Sequence, residues 1–486
     1  MNTDYDVIIA GGGLAGLTTA TSIAKHSNQQ ARVLIVDRNP ESSPGQKTIS
    51  GWVCGDAVSK KSVDYIAKHL GIQYSSPEIE HEVKGVLMFS PDRTKSVLFE
   101  GEGYVLNRKL LASRQVNEAK KLGVEFRFLV ALTHLKHQES SITGVVGRNI
   151  GDNSSFEANA KIVVDATGSA SKLRSNLPIN SFIQKEIDKN DLESTGRYIY
   201  EFTPGKEDKT FFDPDYCIIH LDQDLAPGGY CWTFPKGVNK VNIGLGVQKK
   251  SLDLRNSRLG KTDNLPTLIN NYVESNPVLK NPVLSKSSSD EGNTRGNWQV
   301  SVRRQNDCMV ANGYALVGDA AWMARPIDAG GIGPSFYGGV IIGKVISSAL
   351  NSNDFSESSL WPYNVEYMQT YGYQMPSFDV FRRYLQTLSN DQINYGVRNF
   401  LSDTDIQLII KREHPTFNKV KLFNPVTWVK IARQYTLAKG LRTTSKTSEL
   451  LIQHCLNYPQ TPAEFPAWQN ALKKILSNAF LKLGIT

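Results

Sequence analysis

The hydrophobic and polar positions at the start of the chain predict a strand, a tight turn and a helix in immediate succession. Residues 5–10 form a short apolar run typical of a buried strand, and residues 14–25 carry the small and apolar side chains of a packed helix. A second apolar run, residues 31–36, predicts the next strand. This order is typical of an α/β nucleotide-binding fold.

The remaining periodicity indicates more α/β structure, then a strand-rich section, then a mostly helical section from about residue 361. Further strands are predicted at 83–89, 96–99, 124–128, 142–146, 162–164, 197–202, 216–221, 241–247 and 315–317. Helices are predicted at 59–70, directly after Arg108, and at 332–350. The last segment has apolar residues at helical spacing, namely Trp468, Leu472, Ile475, Leu476, Phe480 and Leu483. We expect that helix to dock on the protein rather than lie on a membrane.

Composition and charge are those of an ordinary globular protein. The 486 residues are 40% hydrophobic and 21% charged, with a formal net charge of +8. The lysines and arginines are scattered, so we expect no nucleic-acid partner. The 5 cysteines and 8 histidines suggest neither a disulfide framework nor a metal site. No apolar run is long enough to span a membrane, so we expect a cytoplasmic protein. Peripheral contact with the anionic inner face of the cell membrane is left open. We also expect the protein to be a monomer.

A glycine-rich turn, residues 11–16, joins the first strand to the first helix. Gly11 permits the tight turn, Gly13 lets a pyrophosphate approach the backbone, and Gly16 lets helix and strand pack closely. Asp37 ends the second strand, where an acid binds ribose hydroxyls. The turn therefore predicts an adenine dinucleotide, with the phosphates at the helix N-terminus. The residues assigned to it are Gly11, Gly13, Ala15, Gly16, Asp37 and Arg38.

A second motif near the end of the α/β pattern supplies the other half of the nucleotide site. Gly318 and Asp319 follow a predicted strand, and the Asp319 carboxylate would accept from a ribityl or ribose hydroxyl. Gly330, Gly331 and Ile332 begin the helix 332–350, whose free N–H groups would face the pyrimidine edge of a flavin. The two motifs together predict FAD as the cofactor.

The sequence resembles the flavoprotein group built like p-hydroxybenzoate hydroxylase. The matching stretches are residues 11–16 with Asp37, residues 164–174 and residues 318–321. In the hydroxylases of that group the middle motif usually has an acid before its glycine, which helps nicotinamide-cofactor contacts. Here Thr167 precedes Gly168, which counts against direct NADPH-driven oxygenation. The resemblance implies cofactor contacts for Gly168 and for Arg108.

Two further stretches resemble the geranylgeranyl reductase family. Residues 227–236 contain a Tyr-x-Trp-x-Phe-Pro motif, and residues 52–57 contain Trp52 followed by a Cys-Gly-Asp segment. Arg303 and Arg304 also suit that family. The resemblance covers residues 1 to about 350, and its Cys-Gly-Asp form is closer to the archaeal-type enzymes that saturate prenyl chains of ether lipids (digeranylgeranylglycerophospholipid reductases) than to the chlorophyll-pathway branch. It implies hydride transfer from N5 of reduced FAD to an alkene, with protonation of the other carbon.

Residue types around those two motifs suit that chemistry. Cys54 is our candidate proton donor or polar contact at the alkene, and Tyr230 is our candidate for positioning it. Tyr230, Trp232 and Phe234 alternate along a strand and so lie on one face, as an apolar wall for a hydrocarbon chain, whereas Cys231 points to the opposite face. The predicted substrate-binding residues are Trp52, Trp232, Phe234 and Pro235. The segment Cys54, Gly55 and Asp56 is also assigned to the cofactor.

The predicted fold is α/β, or α+β overall, with a Rossmann-like FAD-binding domain. We assign residues 1–180 and 300–355 to this domain, with part of the catalytic domain interleaved at 45–105. Residues 181–299 are the predicted sheet-rich substrate domain, inserted as an antiparallel sheet. Residues 356–486 are the predicted helical C-terminal region.

Two other functions remain open on the sequence alone. One is a flavin-dependent monooxygenase or halogenase of the same fold, although Tyr230 and Phe234 depart from the Trp-x-Trp-x-Ile-Pro stretch of halogenases. The other is a non-catalytic, flavin-holding electron-transfer partner. For the reductase, a prenyl diphosphate and a diether lipid are both candidate substrates, and the electron donor is a ferredoxin, a deazaflavin or NAD(P)H.

Overall fold

The computed structural model of the protein describes residues 3–46, 51–285, 294–400 and 434–485. Its strands are β1 (Tyr5–Ala10), β2 (Val33–Val36), β3 (Ala57–Ser59), β4 (Ile79–Phe89), β5 (Ser96–Leu106), β6 (Glu125–Arg127), β7 (Val130–Gln138), β8 (Ser141–Asn149), β9 (Ser155–Asp165), β10 (Leu192–Pro204), β11 (Tyr216–His220), β12 (Cys231–Pro235), β13 (Lys240–Gln248), β14 (Leu279–Leu284), β15 (Arg295–Ser301), β16 (Val310–Ala311) and β17 (Tyr314–Leu316).

Its helices are α1 (Leu14–His26), α2 (Lys60–Leu70), α3 (Arg108–Lys121), α4 (Lys172–Ser175), α5 (Lys249–Leu259), α6 (Leu265–Glu274), α7 (Ile332–Ser352), α8 (Glu357–Leu360), α9 (Pro362–Thr370), α10 (Met375–Leu385), α11 (Asn390–Asn399), α12 (Tyr435–Leu456) and α13 (Phe465–Leu483). The predicted helical region 356–486 includes residues 401–433, and the predicted sheet-rich domain includes residues 286–293; both segments lie outside the described residues.

The first sheet is the nucleotide-binding one. Strands β17, β9, β1, β2 and β6 lie side by side in parallel, and β7 and β8 extend the sheet from β9 as an antiparallel meander. Val7, Ile8 and Ile9 of β1 are fully buried, because the central strand of a parallel sheet is covered on both faces. This is why residues 7–10 of β1 form a continuous apolar run rather than an alternating one.

The second sheet has nine strands in a largely antiparallel arrangement, with a parallel pairing between β4 and β11. Its order is β14-β10-β13-β12-β11-β4-β5-β3, and β15 also pairs with β10. One face of the sheet packs on α6 through Leu268, Ile269 and Tyr272. The other face presents Trp232 and Phe234, so the sheet has one side that belongs to a core and one side available for a ligand.

The C-terminal helix docks on the protein, as predicted. Trp468, Leu472 and Leu476 of α13 are buried, and the indole of Trp468 stacks on His454 of α12 with ring centroids 4.9 Å apart. Trp361 donates a hydrogen bond to the carbonyl of Pro459 at 2.8 Å, which fixes the connection between α12 and α13. Among the described residues, no helix combines the length and the apolarity that crossing a bilayer requires.

The predicted fold class is confirmed, and the differences are mostly in strand length. The hairpin expected at 83–89 and 96–99 is longer, Ile79–Phe89 with Ser96–Leu106. Its extra residues mix polar side chains with the fully buried Val105 and Leu106, so they form neither a continuous apolar run nor a regular alternation. Helices α5 and α6 interrupt the section predicted as strand-rich, and strands β7, β14 and β15 were missed for the same reason as the hairpin ends.

Candidate active site

A cavity of about 1550 Å³ begins at the glycine turn and extends between the second sheet and the C-terminal helices. Its walls come from the carboxyl ends of β1 and β2, the segment 52–61, the strands around β12, and α10 to α12. Pockets for small ligands are typically ~300–1,000 Å³. This cavity therefore has room for a dinucleotide and for a second, elongated ligand.

The glycine turn is packed against its surroundings with no spare volume. A Cβ on Gly16 would lie 2.1 Å from the carbonyl oxygen of Gly11, and a Cβ on Gly11, whose φ is +104°, would lie 2.5 Å from the carbonyl oxygen of Ala166. Gly45 also crosses close to Gly13, because a Cβ on Gly45 would lie 2.3 Å from the Gly13 Cα. Only glycine permits this approach of backbones, and it leaves the N-terminus of α1 open to phosphates.

Asp37 lies at the end of β2 and organises the same turn. Its carboxylate accepts backbone hydrogen bonds from Gly12 at 2.5 Å, Asn39 at 2.7 Å and Gly45 at 3.0 Å. Burial raises the pKa of Asp37, and the three backbone donors partly offset that effect. Asp37 and Arg38 both line the cavity, where a ribose hydroxyl would share these contacts.

A second group of predicted cofactor residues meets the turn from the other side. Arg108 begins α3, and its buried Nε has no hydrogen-bond partner among the described residues. Asp319 Oδ1 lies at the start of α7, where a Cβ on Gly331 would be 3.2 Å from it. Arg108 and the first turn of α7 thus present N–H donors to the cavity. These donors fit a flavin, whose pyrimidine edge is rich in acceptors.

The motif at residues 164–174 ties strand ends together. The carboxylate of Asp165 accepts hydrogen bonds from Tyr314 at 2.8 Å, from Thr167 at 2.6 Å and from Ser171. Thr167 and Gly168 reach the cavity wall. Thr167, at the position where the hydroxylases have an acid, therefore hydrogen-bonds to Asp165 and brings no charge to the site.

The aromatic row lies on one face of the second sheet, as predicted. Ring centroids are 6.1 Å apart for Tyr230 and Trp232 and 6.3 Å apart for Trp232 and Phe234, and all three rings line the cavity. Cys231 points the other way, into the core beneath α6. The Trp232 indole donates to Asn242 at 2.9 Å, so the row is an apolar wall whose one buried N–H is satisfied.

Cys54 lies half-buried in the cavity wall, and a network behind it fixes its backbone. The Cys54 carbonyl accepts from Asn242 at 2.9 Å and from Arg197 at 3.3 Å. The Asp56 carboxylate accepts from Asn242 at 2.8 Å and from Lys236 at 3.3 Å. Asp56 is thus the anion of a buried network that holds the Cys-Gly-Asp segment against the sheet.

Gly55 explains how this segment and the aromatic row fit together. A Cβ at this position would lie 2.8 Å from the Phe234 ring. The absence of a side chain lets the segment 52–57 cross directly over the row. Cys54, the residue before Gly55, therefore lines the cavity next to the point where the segment meets the aromatic row.

Most of the predicted site residues lie together along this cavity. Those that line it are Gly11, Gly13, Ala15, Asp37, Arg38, Trp52, Cys54, Gly55, Asp56, Arg108, Gly168, Tyr230, Trp232, Phe234, Asp319, Gly330, Gly331 and Ile332. Gly16, Gly318 and Pro235 do not line it. Gly16 and Gly318 permit close packing, the latter against Ala15, and Pro235 is buried at the end of β12.

Sequence reasoning missed a carboxyl group in this cavity, Glu193 at the start of β10. Glu193 is buried, and burial raises its pKa to about 7. It also missed the loop at Asp328, whose carbonyl accepts a hydrogen bond from the Tyr230 hydroxyl at 2.5 Å. Glu193 was missed because the strand was expected only from residue 197. Side chains four residues apart on a strand share a face, so continuing the strand back from Arg197 to Glu193 is the signal that could have found it.

The far part of the cavity was missed as well, because the helical region had no predicted role. Its lining comes from α10, α11 and α12 and the residues next to them. It is mostly apolar, with Phe378, Phe381, Leu385, Leu388, Ile393, Val397, Phe400, Leu437, Leu441 and Ile452, and it also includes the polar residues Gln374, Ser377, Gln392, Thr444, Ser445 and Ser448. A long apolar channel thus continues from the aromatic row.

Comparisons with known proteins place these features in a family. The family model described as the geranylgeranyl reductase catalytic domain matches residues 191–281. A digeranylgeranylglycerophospholipid reductase of Sulfolobus acidocaldarius is 32% identical over 97% of this chain and 97% of its own length. A protein of the same name from Methanosarcina acetivorans is 31% identical over 77% of this chain and 83% of its own length.

Solved structures support the fold. A geranylgeranyl bacteriochlorophyll reductase-like protein from Thermoplasma acidophilum superimposes with a TM-score of 0.69, at 24% identity over 90% of this chain and 99% of that one. The myxobacterial chondrochloren halogenase, a variant of FAD-dependent halogenases, gives a TM-score of 0.62 at 16% identity over 98% and 97% of the two chains. At these identities the likeness is one of fold.

Proposed function

The chain belongs to the geranylgeranyl reductase family, and we propose that it is an FAD-dependent reductase that saturates the C=C bonds of geranylgeranyl chains in archaeal-type ether phospholipids. The observation that carries this proposal is the continuity of the cavity. The donors that fit a flavin, the half-buried Cys54, the aromatic row and the apolar channel all line one space. A hydrocarbon chain in that channel would pass the aromatic row and reach the flavin end.

The residues divide into those that hold the cofactor and those that act on the substrate. The glycine turn, Asp37, Arg108 and the first turn of α7 would hold FAD, and reduced FAD supplies the hydride when bound. An isolated alkene has no carbonyl to polarise it, so its second carbon needs a proton from the protein. We assign that proton to the thiol of Cys54 and the positioning of the chain to Tyr230, because both line the cavity and Tyr230 is held by its hydrogen bond to the Asp328 carbonyl.

Water exclusion follows from the same walls. Trp232 and Phe234 present apolar rings to the channel, and the one indole N–H of Trp232 is already used. The substrate would therefore displace little ordered water, and the alkene would lie in a medium of low polarity. A diether lipid and a prenyl diphosphate would both leave the polar head outside this space, so the two substrate classes have to be separated by experiment.

The rival functions receive less support. The halogenases among the solved structures share the fold alone, at 14–16% identity. A flavin-holding partner without a substrate would have no use for the channel of α10 to α12. The electrons come from an external reductant, for which a ferredoxin, a deazaflavin and NAD(P)H are all candidates. NAD(P)H has the least support, because Thr167 stands where the hydroxylases have the acid that helps nicotinamide-cofactor contacts, and it hydrogen-bonds to Asp165.

The proposal is tested with the purified protein, chemically reduced under anaerobic conditions and incubated with digeranylgeranylglycerol phospholipid. We expect mass spectrometry to show lipid masses raised by pairs of hydrogens, with the flavin returning to its oxidised spectrum. Geranylgeranyl diphosphate in a parallel reaction separates the two substrate classes. Unchanged lipid masses together with oxygen-dependent product formation in air would favour the monooxygenase or halogenase alternative.

Replacing Cys54 by alanine is expected to slow alkene saturation by about 100-fold or more, in the ~10²–10⁴-fold range of general acid catalysis. FAD occupancy and the rate of flavin reduction should stay close to the wild-type values, because the thiol's own hydrogen bond, accepted from the Asp56 N–H at 3.3 Å, lies within the Cys-Gly-Asp segment and outside the glycine turn. The matched control is Cys308→Ala, since Cys308 is buried in the core away from the cavity. Wild-type turnover in Cys54→Ala would remove Cys54 from the mechanism.

A further inference from the structure

One side chain, the amide of Asn242 on β13, joins the Cys-Gly-Asp segment to the aromatic row. It is fully buried. Its Oδ1 accepts a hydrogen bond from the Trp232 indole at 2.9 Å. Its Nδ2 donates to the Cys54 carbonyl at 2.9 Å and to the Asp56 carboxylate at 2.8 Å. A primary amide has two N–H donors and one acceptor oxygen, so these bonds use both donors and the oxygen.

The chemistry of the three partners requires an asparagine at this position. An indole N–H can only donate, whereas a carbonyl oxygen and an ionised carboxylate can only accept. The amide oxygen must therefore face Trp232, and the amide nitrogen must face Cys54 and Asp56. An aspartate would keep the acceptor but lose both donors, and it would bring a second carboxylate against Asp56. A leucine of similar size would make none of these bonds.

The second sheet holds Asn242 from both sides. In the antiparallel register Asn242 pairs with Phe234 of β12 and with Ile199 of β10. Trp232 pairs with Gly244, and a Cβ on Gly244 would collide with the indole ring. The indole is therefore fixed both by its bond to Asn242 and by its place over Gly244. The amide is thus a rigid anchor for the groups that it binds.

The Cys-Gly-Asp segment depends on such an anchor. Asp56 has a φ of +67°, in the left-handed region that is unfavourable for residues with a Cβ and persists where surrounding contacts enforce it. The Asp56 N–H donates to Cys54 Sγ at 3.3 Å, so the conformation of Asp56 helps to place the sulfur. Asn242 binds both residues, and Arg197 adds a second hydrogen bond to the Cys54 carbonyl at 3.3 Å. The position of the thiol is thus set from the sheet, by side chains outside the segment.

We infer that Asn242 is a positioning residue of the proposed reaction, which holds the Cys54 thiol at a fixed place relative to the aromatic row. This inference rests on the proposed function, in which reduced FAD supplies a hydride and the Cys54 S–H bond breaks to protonate the second alkene carbon. Solvent then reprotonates the sulfur. Asn242 exchanges neither protons nor electrons. Its contribution is to place the proton donor and Trp232, the wall against which the alkene lies, by one and the same group.

The test uses Asn242→Asp, which keeps the acceptor for the Trp232 indole and removes both donors to the segment. We expect kcat for lipid saturation by the reduced protein to fall by about 10- to 100-fold, since ~1 Å of misplacement can cost that much. KM for the lipid should change little, because the aromatic wall keeps its bond. In the Cys54→Ala background the same substitution should cause little further loss, since groups that act through one another are not additive.

A second readout needs no turnover. The other cysteines of the chain are buried, so alkylation of the oxidised protein by iodoacetamide, followed by mass spectrometry, reports on Cys54. The rate of alkylation at Cys54 is expected to rise by about tenfold in Asn242→Asp, because two hydrogen bonds that oppose local opening of the segment are lost.

The matched control is Asn276→Asp. Asn276 is buried between α6 and β14, its oxygen accepts from the Val278 N–H at 3.0 Å, and its Nδ2 has no hydrogen-bond partner among the described residues. The substitution therefore makes the same chemical change but removes no bond, and it should keep the wild-type kinetics and alkylation rate. If Asn242→Asp does not retain FAD, Asn242→Ser, which adds no charge, is measured in its place, with the same expected fall in kcat and rise in alkylation.

The outcomes separate this inference from the proposed function. Wild-type kcat and alkylation rate in Asn242→Asp would overturn the role of Asn242 and leave the function standing. A full further loss of kcat in the Cys54→Ala background would also overturn it, because Asn242 would then act by a route other than Cys54. A wild-type protein that saturates no prenyl chain would overturn both proposals.

Discussion

Gly16→Ala is expected to yield a protein that retains much less FAD than the wild type. The added Cβ would lie 2.1 Å from the backbone oxygen of Gly11, 3.2 Å from Ile9 Cγ2 and 3.3 Å from the Ala166 Cβ. All three belong to a closely packed core, so the turn itself must move, at a cost of ~1–3 kcal/mol or more. Because each ~1.4 kcal/mol is tenfold in affinity, a cost of ~1–3 kcal/mol means that FAD should bind about five-fold to a hundred-fold more weakly.

The measurement is the flavin content of the purified protein, followed by a fluorescence titration of the apoprotein with FAD. The matched control is Gly151→Ala, because a Cβ on Gly151 meets nothing within 4 Å. It should bind FAD like the wild type. Full flavin content and unchanged affinity in Gly16→Ala would show that the turn does not hold the cofactor.

Asp379→Asn is expected to cause the largest loss of stability among substitutions away from the cavity. Asp379 is fully buried on α10, and its carboxylate accepts from Arg382 at 2.7 Å and from Arg383 at 3.0 Å, with Arg304 3.7 Å away. Removing one partner of a buried ionic cluster leaves uncompensated charge and costs ~3–5 kcal/mol. The free energy of unfolding should fall by about that amount in urea titrations.

Asp253→Asn is the control, since Asp253 makes an exposed pair with Lys249 and should change stability by less than ~1 kcal/mol. The pH dependence gives a second check. Burial by itself would raise the pKa of Asp379, but the surrounding arginines outweigh burial and lower that pKa below its ordinary value. Asp379 therefore stabilises the fold fully above pH ~3.9, the pKa of an unfolded aspartate. This stabilisation is lost as the pH falls through the pKa of Asp379 in the folded protein. The wild type should thus lose more stability in acid than Asp379→Asn, and equal losses would contradict the assignment.

The parts of the site that could be predicted from the sequence are those encoded in short segments. The glycine turn with Asp37 follows from local backbone geometry, and the common face of Tyr230 and Trp232 follows from strand alternation. Neither needs knowledge of distant contacts. The same reasoning correctly directed Cys231 into the opposite core.

The parts that could not be predicted depend on packing between distant segments. Glu193 becomes a near-neutral acid only because β10 places it behind Tyr230 and beneath α10, and isolated glutamates give no sign of this. The carboxylate of Asp56 was assigned to the cofactor from its motif, whereas its partners Lys236 and Asn242 come from the far strands β12 and β13 and the turn between them. The helical lining of the channel was missed because apolar residues at helical spacing look the same whether they face a core or a ligand.

The two ends of the large cavity are built by separate stretches of the chain. The cofactor end comes from the first sheet and the start of α7, and the far end comes from α10 to α12. Because these two sets of described residues do not overlap, substitutions at Leu388, Val397 or Leu441 are expected to change the length and branching of the lipid that fits without disturbing the redox centre. Chain-length selectivity and reactivity are therefore separately evolvable in this fold, and a new substrate can be sought by altering the helices alone.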